Sequence, residues 1–276
     1  MKKIIITKPG CQELANHLWN YLSIYAYGLE TGAQVVNPSF SKWYRYFNLK
    51  KDILERLWST FDGLYGSYVV RAHKKCALLA VNEVVYLSPT TNKNACDTLY
   101  FIGWFFRNPL GLKKYRDEII SAFQPKEHIL KKIERILSPF VGKRLIGVQI
   151  RQQSYPGFPD GNFLVPIPRV RHIVDEYLHA EKLHARDVAL IIVSDKDVST
   201  DVFEELNVHI SHEDEVTNLF LLSKCSVIIG SNSTFSNLSA WFGNTPHLVT
   251  TNEPIDWEYY TGKTTYFENK HTTFSQ

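Results

Sequence analysis

Apolar positions recur along this chain in two rhythms that take turns. Lys3–Thr7 is a short strand-like run, broken by Pro9 and Gly10. Over 14–29 the residues Leu14, Leu18, Leu22, Ile24, Tyr25 and Leu29 fall at helical spacing, and Gly32 supplies a stop. Gln34–Val36 is a second strand, so the chain opens as the start of a βαβ unit. Residues 38–47 are aromatic and irregular, and helical patterning resumes over 49–61. Residues 76–80 and 84–87 read as strands on either side of a turn at Asn82 and Glu83. Residues 100–106 form a dense aromatic strand or turn, and 112–123 and 125–137 are helical. Ser138 and Pro139 end the last of these.

A second alternation follows. Leu145, Ile146, Val148 and Ile150 mark a buried strand that delivers Arg151 at its end. Residues 166–183 are helical, with Val170, Ile173, Val174 and Tyr177 on one face. Val188–Ser194 is a continuous apolar run, as expected of a parallel strand covered on both sides. A helix over 198–206, a strand over 208–210, a helix over 216–225 and the strand Val227–Gly230 come next. A helix through Trp241, closed by Gly243 and Asn244, leads to a last strand over 247–250. Strand and helix in alternation predict an α/β protein with doubly wound parallel sheets. The best break is Ser138-Pro139 followed by Gly142-Lys143-Arg144. It divides the chain into 1–140 and 141–276, with the tail from 257 able to return to the first half.

Composition narrows the function. The 276 residues, 44% of them hydrophobic, support one large domain or two moderate ones. The formal charge of +3 is spread along the chain, without the clustered Lys and Arg of a nucleic-acid binder. Cys11, Cys76, Cys96 and Cys225 are far apart and form no C-x-x-C, so neither a zinc site nor a disulfide scaffold is expected. The Ile4–Ile6 run is too short for a signal peptide, and no transmembrane run occurs. These features predict a soluble, cytoplasmic protein of a reducing compartment. The many aromatics, at 40–47 and 100–106 above all, are expected to be core for the most part, with an acceptor groove as the other use.

Four places could carry chemistry. Arg151 follows a strand in a sheet whose ligands sit beyond the strands' carboxyl ends, and its guanidinium fork suits a phosphate or a carboxylate, or else an ordinary surface salt bridge. The run Ser231-Asn232-Ser233-Thr234-Phe235-Ser236 lies between a buried strand and a helix. It offers hydroxyls and amides to an anion, beyond what a helix cap needs. Asp195, at another strand end, can accept from two N–H groups such as a guanine edge presents, or it can cap a turn. Asn16 and His17 stand at the entry of the first helix, where unpaired amides also gather.

Several stretches resemble the fucosyltransferase superfamily that includes bacterial α-1,2-, core and nodulation α-1,6-, and protein O-fucosyltransferases. Glu13-Leu14-Ala15-Asn16-His17-Leu18 is similar to the family's Gly-x-Gly-Asn-Gln motif, and 100–123 to its Gly-Tyr-Phe-Gln region. Gly147–Gln152 is similar to its His-x-Arg-Arg motif, and 218–243 to its Asp-Leu-x-Leu-Met-Ser-x-Cys…Asn-Ser-Ser/Thr-Phe-Ser segment. The resemblance implies a GT-B fold of two Rossmann-like domains facing across a cleft. The first would serve the acceptor side and the second would bind the nucleotide sugar. It implies inverting, metal-independent transfer of fucose from GDP-fucose to a sugar hydroxyl of a glycan, with no cofactor. Peripheral membrane association is left open. It places Arg151 on the β-phosphate, Asp195 on guanine, Ser233, Thr234 and Phe235 on the nucleotide, Gln149 at the motif's histidine, and Asn16 and His17 in the cleft. Asp160, nine residues past Arg151 in a Pro-Asp-Gly turn, matches the loop that carries a base in α-1,6 enzymes. Departures at Gln149, Gln152, Ser154 and Asn218 keep two alternatives alive: a GT-B transferase with another nucleotide sugar, or a non-catalytic nucleotide-sugar-binding homologue.

Overall fold

Every ladder between the strands described below is parallel. Parallel pairing demands a crossover for each pair and places helices on the sheet faces. The computed structural model describes residues 2–7, 13–49, 74–91, 96–152 and 164–268. The chain forms two units, 1–126 and 127–276.

In the first unit β1 (Lys3–Thr7) leads to α1 (Leu14–Thr31) and β2 (Gln34–Val36). Gly32, at φ 65°, ends α1 in the left-handed conformation and donates its N–H to the Gly28 carbonyl. Then come β3 (Ala77–Ala80), β4 (Val85–Tyr86), β5 (Thr98–Gly103) and β6 (Phe106–Arg107), followed by α2 (Pro109–Lys114) and α3 (Arg116–Ala122). The main sheet runs β2-β1-β5-β3, and β4 pairs with β6 in a separate ladder. The two strands on either side of the turn at Asn82 and Glu83 therefore pair with different partners, β3 with β5 and β4 with β6. Most of the helix expected over 49–61 lies outside the described residues.

One cysteine pairing goes beyond what the sequence suggests. Cys76 and Cys96 form a disulfide. Sequence spacing carries no sign of it. The two meet because β3 and β5 pair in parallel, with Ala77 opposite Tyr100. Such a bond persists in oxidising surroundings, which is at odds with the reducing compartment expected. Among the described residues no helix is long and apolar enough to cross a membrane.

The second unit begins with α4 (Glu127–Leu137), ahead of the expected division at 140/141. The helix belongs here because Lys132 Nζ reaches Glu213 Oε2 at 2.7 Å, besides packing on the later helix. Then follow β7 (Arg144–Ile150), α5 (Ile167–Ala180), β8 (Val188–Ser194), β9 (Val208–Ser211), α6 (Glu215–Leu222), β10 (Val227–Gly230), α7 (Thr234–Gly243), β11 (His247–Val249) and α8 (Trp257–Tyr260). The helix expected over 198–206 is only the 3-10 turn Thr200–Phe203, since Glu205 takes φ 70° and breaks the run. The described tail stays with this unit: Gly262 N–H donates to Glu181 Oε1 at 3.0 Å, and Tyr266 is buried.

The sheet order is β11-β10-β7-β8-β9. The chain builds outwards from β7 through β8 to β9, then returns to add β10 and β11 on the other side. Ile146, Val148 and Ile150 of β7 pack with Val170 and Ile173 of α5 and with Leu190 and Ile192 of β8. The intervening residues look the other way. A Cβ on Gly147 would lie 3.0 Å from Leu222 Cδ2 of α6 and 3.2 Å from Cys225 Sγ, so the glycine lets these side chains pack directly on β7.

Candidate functional site

Strand order reverses between β7 and β10, which makes the carboxyl ends of these two neighbours a topological switch point. Gln149 of β7 lies beside Gly230 of β10, and the chain beyond Gly230 is the hydroxyl-rich run 231–236. Arg151 follows two residues after Gln149. The guanidinium and the hydroxyl run thus leave adjacent strands of one unit.

The switch point is organised by buried hydrogen bonds. Gln149 is only 7% exposed, and its Oε1 accepts from Ser231 Oγ at 2.7 Å and Ser236 Oγ at 2.9 Å. Ser236 Oγ also lies 3.2 Å from Ser233 Oγ, which caps α7 by accepting the Ser236 N–H at 3.3 Å. Asn237, fully buried, donates from Nδ2 to the Ser233 carbonyl at 3.0 Å and to Asn232 Oδ1 at 3.3 Å. A Cβ on Gly230 would come 2.8 Å from Ser236 Oγ and 2.9 Å from Gln149 Cβ. Glycine is what permits α7 to approach β7 here. Beneath the node, His247 of β11 is wholly buried. Burial pushes its pKa down to about 4, against a smaller upward pull from hydrogen bonds with the backbone of Gly230 and Ser231.

The end of β7 is anchored on its other side. The Gln152 N–H donates to Asp195 Oδ1 at 2.7 Å, and Gln152 Nε2 donates to the Val165 carbonyl at 2.7 Å. Asp195 thus ties the ends of β7 and β8 together, a job the sequence reading allowed only as turn capping. Thr234 and Phe235 are half-buried on the first turn of α7. Asp160 lies outside the described residues. Asn218, at a position where the resembled motif has an acid, accepts from Ser211 Oγ at 2.6 Å and donates to the Glu213 carbonyl at 2.8 Å.

Asn16 and His17 belong to the first unit, at the start of α1. Asn16 Nδ2 reaches Glu13 Oε2 at 3.5 Å. The His17 ring is buried and lies 4.7 Å from the Trp43 ring, within the aromatic core. Gly230 and Asn237 are parts of the node that sequence reasoning passed over. The signal for Asn237 was available: an amide on the first turn of a buried helix, four residues after its cap.

No family model matches the chain, and no curated protein does. Solved structures do. A mutant of Arabidopsis thaliana FUT1 in complex with GDP is 12% identical, with a TM-score of 0.60 over 93% of this chain and 72% of that one. POFUT1 in complex with GDP-fucose is 12% identical, with a TM-score of 0.56 over 92% and 98%. NodZ α-1,6-fucosyltransferase soaked with GDP-fucose is 14% identical, with a TM-score of 0.54 over 88% and 94%. The chain has a fucosyltransferase fold. In this GT-B fold two Rossmann-like units account for the two main parallel sheets, of four and five strands. An open groove of about 950 Å³ lies elsewhere in the second unit, lined by Asp175, Glu176, His179, Trp257 and Glu258. It sits along the carboxyl-terminal half of α5, the half that leads back to the amino-terminal start of β8 and away from the switch point.

Proposed function

We propose that the chain transfers fucose from GDP-fucose to a sugar hydroxyl of a glycan acceptor, with inversion at the anomeric carbon. One observation carries this reading. On a fucosyltransferase fold, Gln149, the strand end bearing Arg151 and the Ser231–Ser236 run converge on the switch point of the second unit. In this proposal Arg151 binds the β-phosphate and offsets the charge that develops as GDP leaves. Ser233, Thr234 and Phe235 contact the nucleotide from the amino-terminal turn of α7, where helix amides favour an anion. Asp195 faces the base. Asn16 and His17 of the first unit serve the acceptor side, and Asp160 takes the acceptor's proton. No metal has a part in this chemistry. Release of GDP from GDP-fucose, with and without a mixture of glycans, tests the reading. Transferase activity requires faster release with acceptor present.

A second reading has a specific observation behind it. Asp195 Oδ1 is already engaged by the Gln152 N–H, which reduces the carboxylate's capacity to read guanine. A transferase for another nucleotide sugar is the alternative this favours. Thermal shift with GDP, UDP and CDP separates the two, since a ligand that binds only the folded state raises its stability.

A further inference from the structure

The groove of about 950 Å³ beside α5 joins an aromatic surface to a set of fixed hydrogen-bond acceptors. Asp175, Glu176 and His179 line it from α5, and Trp257, Glu258 and Thr261 from the α8 segment. Trp257 is half-buried. It packs against the core of the second unit, with the Tyr177 ring 6.4 Å away, and its remaining surface lines the groove. The carboxylates of α5 are held by arginines that are themselves tethered. Arg171 Nε meets both oxygens of Asp175, at 3.0 and 2.9 Å, while its Nη1 donates to the carbonyls of Val202 and Glu204, each at 3.1 Å. Arg169 reaches Glu176 Oε2 at 3.5 Å and donates to the carbonyls of Thr251 and Glu253 at 3.3 and 2.9 Å. The Gly262 N–H, bonded to Glu181 Oε1 at 3.0 Å, fastens the end of the α8 segment to the end of α5. A carboxylate has about four acceptor sites, so Asp175 and Glu176 keep some to offer after these contacts. The Thr261 hydroxyl donates to the Trp257 carbonyl at 2.6 Å, and its oxygen is left to accept.

We propose that the groove between α5 and α8 binds a neutral oligosaccharide, at a site separate from the switch point. The inference goes beyond the transfer reaction and does not need it. Three properties of the groove select this ligand class. Its acceptors ask for a ligand rich in donors, and sugar hydroxyls supply them. Trp257 offers an apolar ring to the C–H face of a pyranose, with polar groups at hand for its edges. The charge is largely cancelled, because Arg169 and Arg171 offset Glu176 and Asp175. An ammonium therefore gains little from these carboxylates, and a phosphate meets Glu258 and a wall of acceptors. The volume suits a ligand of several rings, and the tethered arginines keep the acceptors in place before it arrives, which lowers the ordering cost of binding. A cationic peptide is the competing occupant, and its preference for the groove would show in the same experiment.

The test titrates the full chain by calorimetry with cellotetraose, chitotetraose, maltotetraose and xylotetraose, with tetralysine as the cationic control and GDP as the control for the switch point. At least one tetrasaccharide is expected to bind, and tetralysine to bind more weakly than that sugar. Trp257→Ala is expected to weaken sugar binding about tenfold, by loss of the stacking surface. Since Trp257 also packs on the core, two exposed positions of the groove give a second readout: Glu258→Ala and His179→Ala are each expected to weaken it about threefold, with the melting temperature unmoved. GDP is expected to bind all three variants as it binds the wild type. The proposal is overturned if none of the four sugars binds, if tetralysine binds better than all of them, or if sugar binding is unchanged in Glu258→Ala and His179→Ala, which would put the sugar elsewhere on the chain. Each of these outcomes leaves the transfer reaction standing. A wild type that binds a tetrasaccharide in this groove but never GDP or another nucleotide sinks the transfer reaction and keeps the groove.

Discussion

The two units solve the same architectural problem with different materials. Beside the sheet of the first unit, side chains pack ring against ring. Phe40, Tyr21, Phe47 and Phe123 meet at centroid distances of 4.9–6.5 Å, and Phe40, Trp43, Tyr44 and Phe47 are almost fully buried. At the switch point of the second unit the buried groups are instead Gln149, Ser231, Ser233, Ser236 and Asn237, each joined to a neighbour by at least one hydrogen bond. Apolar packing is non-directional and yields stability in proportion to area. A buried polar network contributes little net stability but fixes which atoms point where. The contrast assigns stability to the first region and the orientation of polar side chains to the second.

The sharpest way to break that contrast is to exchange the readouts. Phe40→Ala in the aromatic cluster is expected to lower unfolding stability by about 4 kcal/mol. Calorimetric affinity for GDP, measured below the melting transition, is expected to stay at the wild-type value. Arg151→Ala should do the reverse. Its kcat/KM for GDP-fucose is expected to fall a few hundredfold, about 3 kcal/mol of lost charge-assisted stabilisation, with the melting temperature nearly unmoved. An unchanged kcat/KM removes Arg151 from the mechanism.

Two further measurements address stability alone. The Cys76–Cys96 bond spans a sequence separation of 20 in the first unit. Cys76→Ser is expected to lower stability by about 3 kcal/mol in denaturant titrations, and dithiothreitol should do the same to the wild type but not to the variant. In the second unit His247 has a folded pKa near 4, below its ordinary value of 6.5. Between these two values the unfolded chain takes up a proton that the folded chain does not. Stability contributed by neutral His247 is therefore whole above pH 6.5 and declines as pH falls towards 4, by about 3 kcal/mol in all. Replacing it by Asn should remove that part of the acid sensitivity from urea midpoints.

The smallest effect concerns the cap. Ser233→Ala should reduce stability by about 1 kcal/mol, because one amide at the start of α7 loses its acceptor. If nucleotide affinity drops far more than stability does, the cap is a ligand contact as well. That result would sharpen the division between the units by showing one residue at work on both sides of it.

Much of this was legible in the residues themselves. Val188–Ser194, Val227–Gly230 and the helix expected over 14–29 lie where periodicity puts them, the helix running two residues further to Thr31, since burial on both faces or on one stripe leaves a local record in the order of apolar side chains. Arg151 and the Ser231–Ser236 run could be picked out because strand ends and helix starts are also local. Other features left no such record. Strand order, the disulfide between Cys76 and Cys96, the transfer of α4 to the second unit and the separate pairings of β3 and β4 all join residues distant in the chain. The use of Gln149 as an acceptor for two serines about eighty positions away belongs with them. Amphipathic pattern specifies which face of an element is buried. Which element covers that face, and which polar atom it meets there, is settled only when loops close and competing pairings are compared in three dimensions.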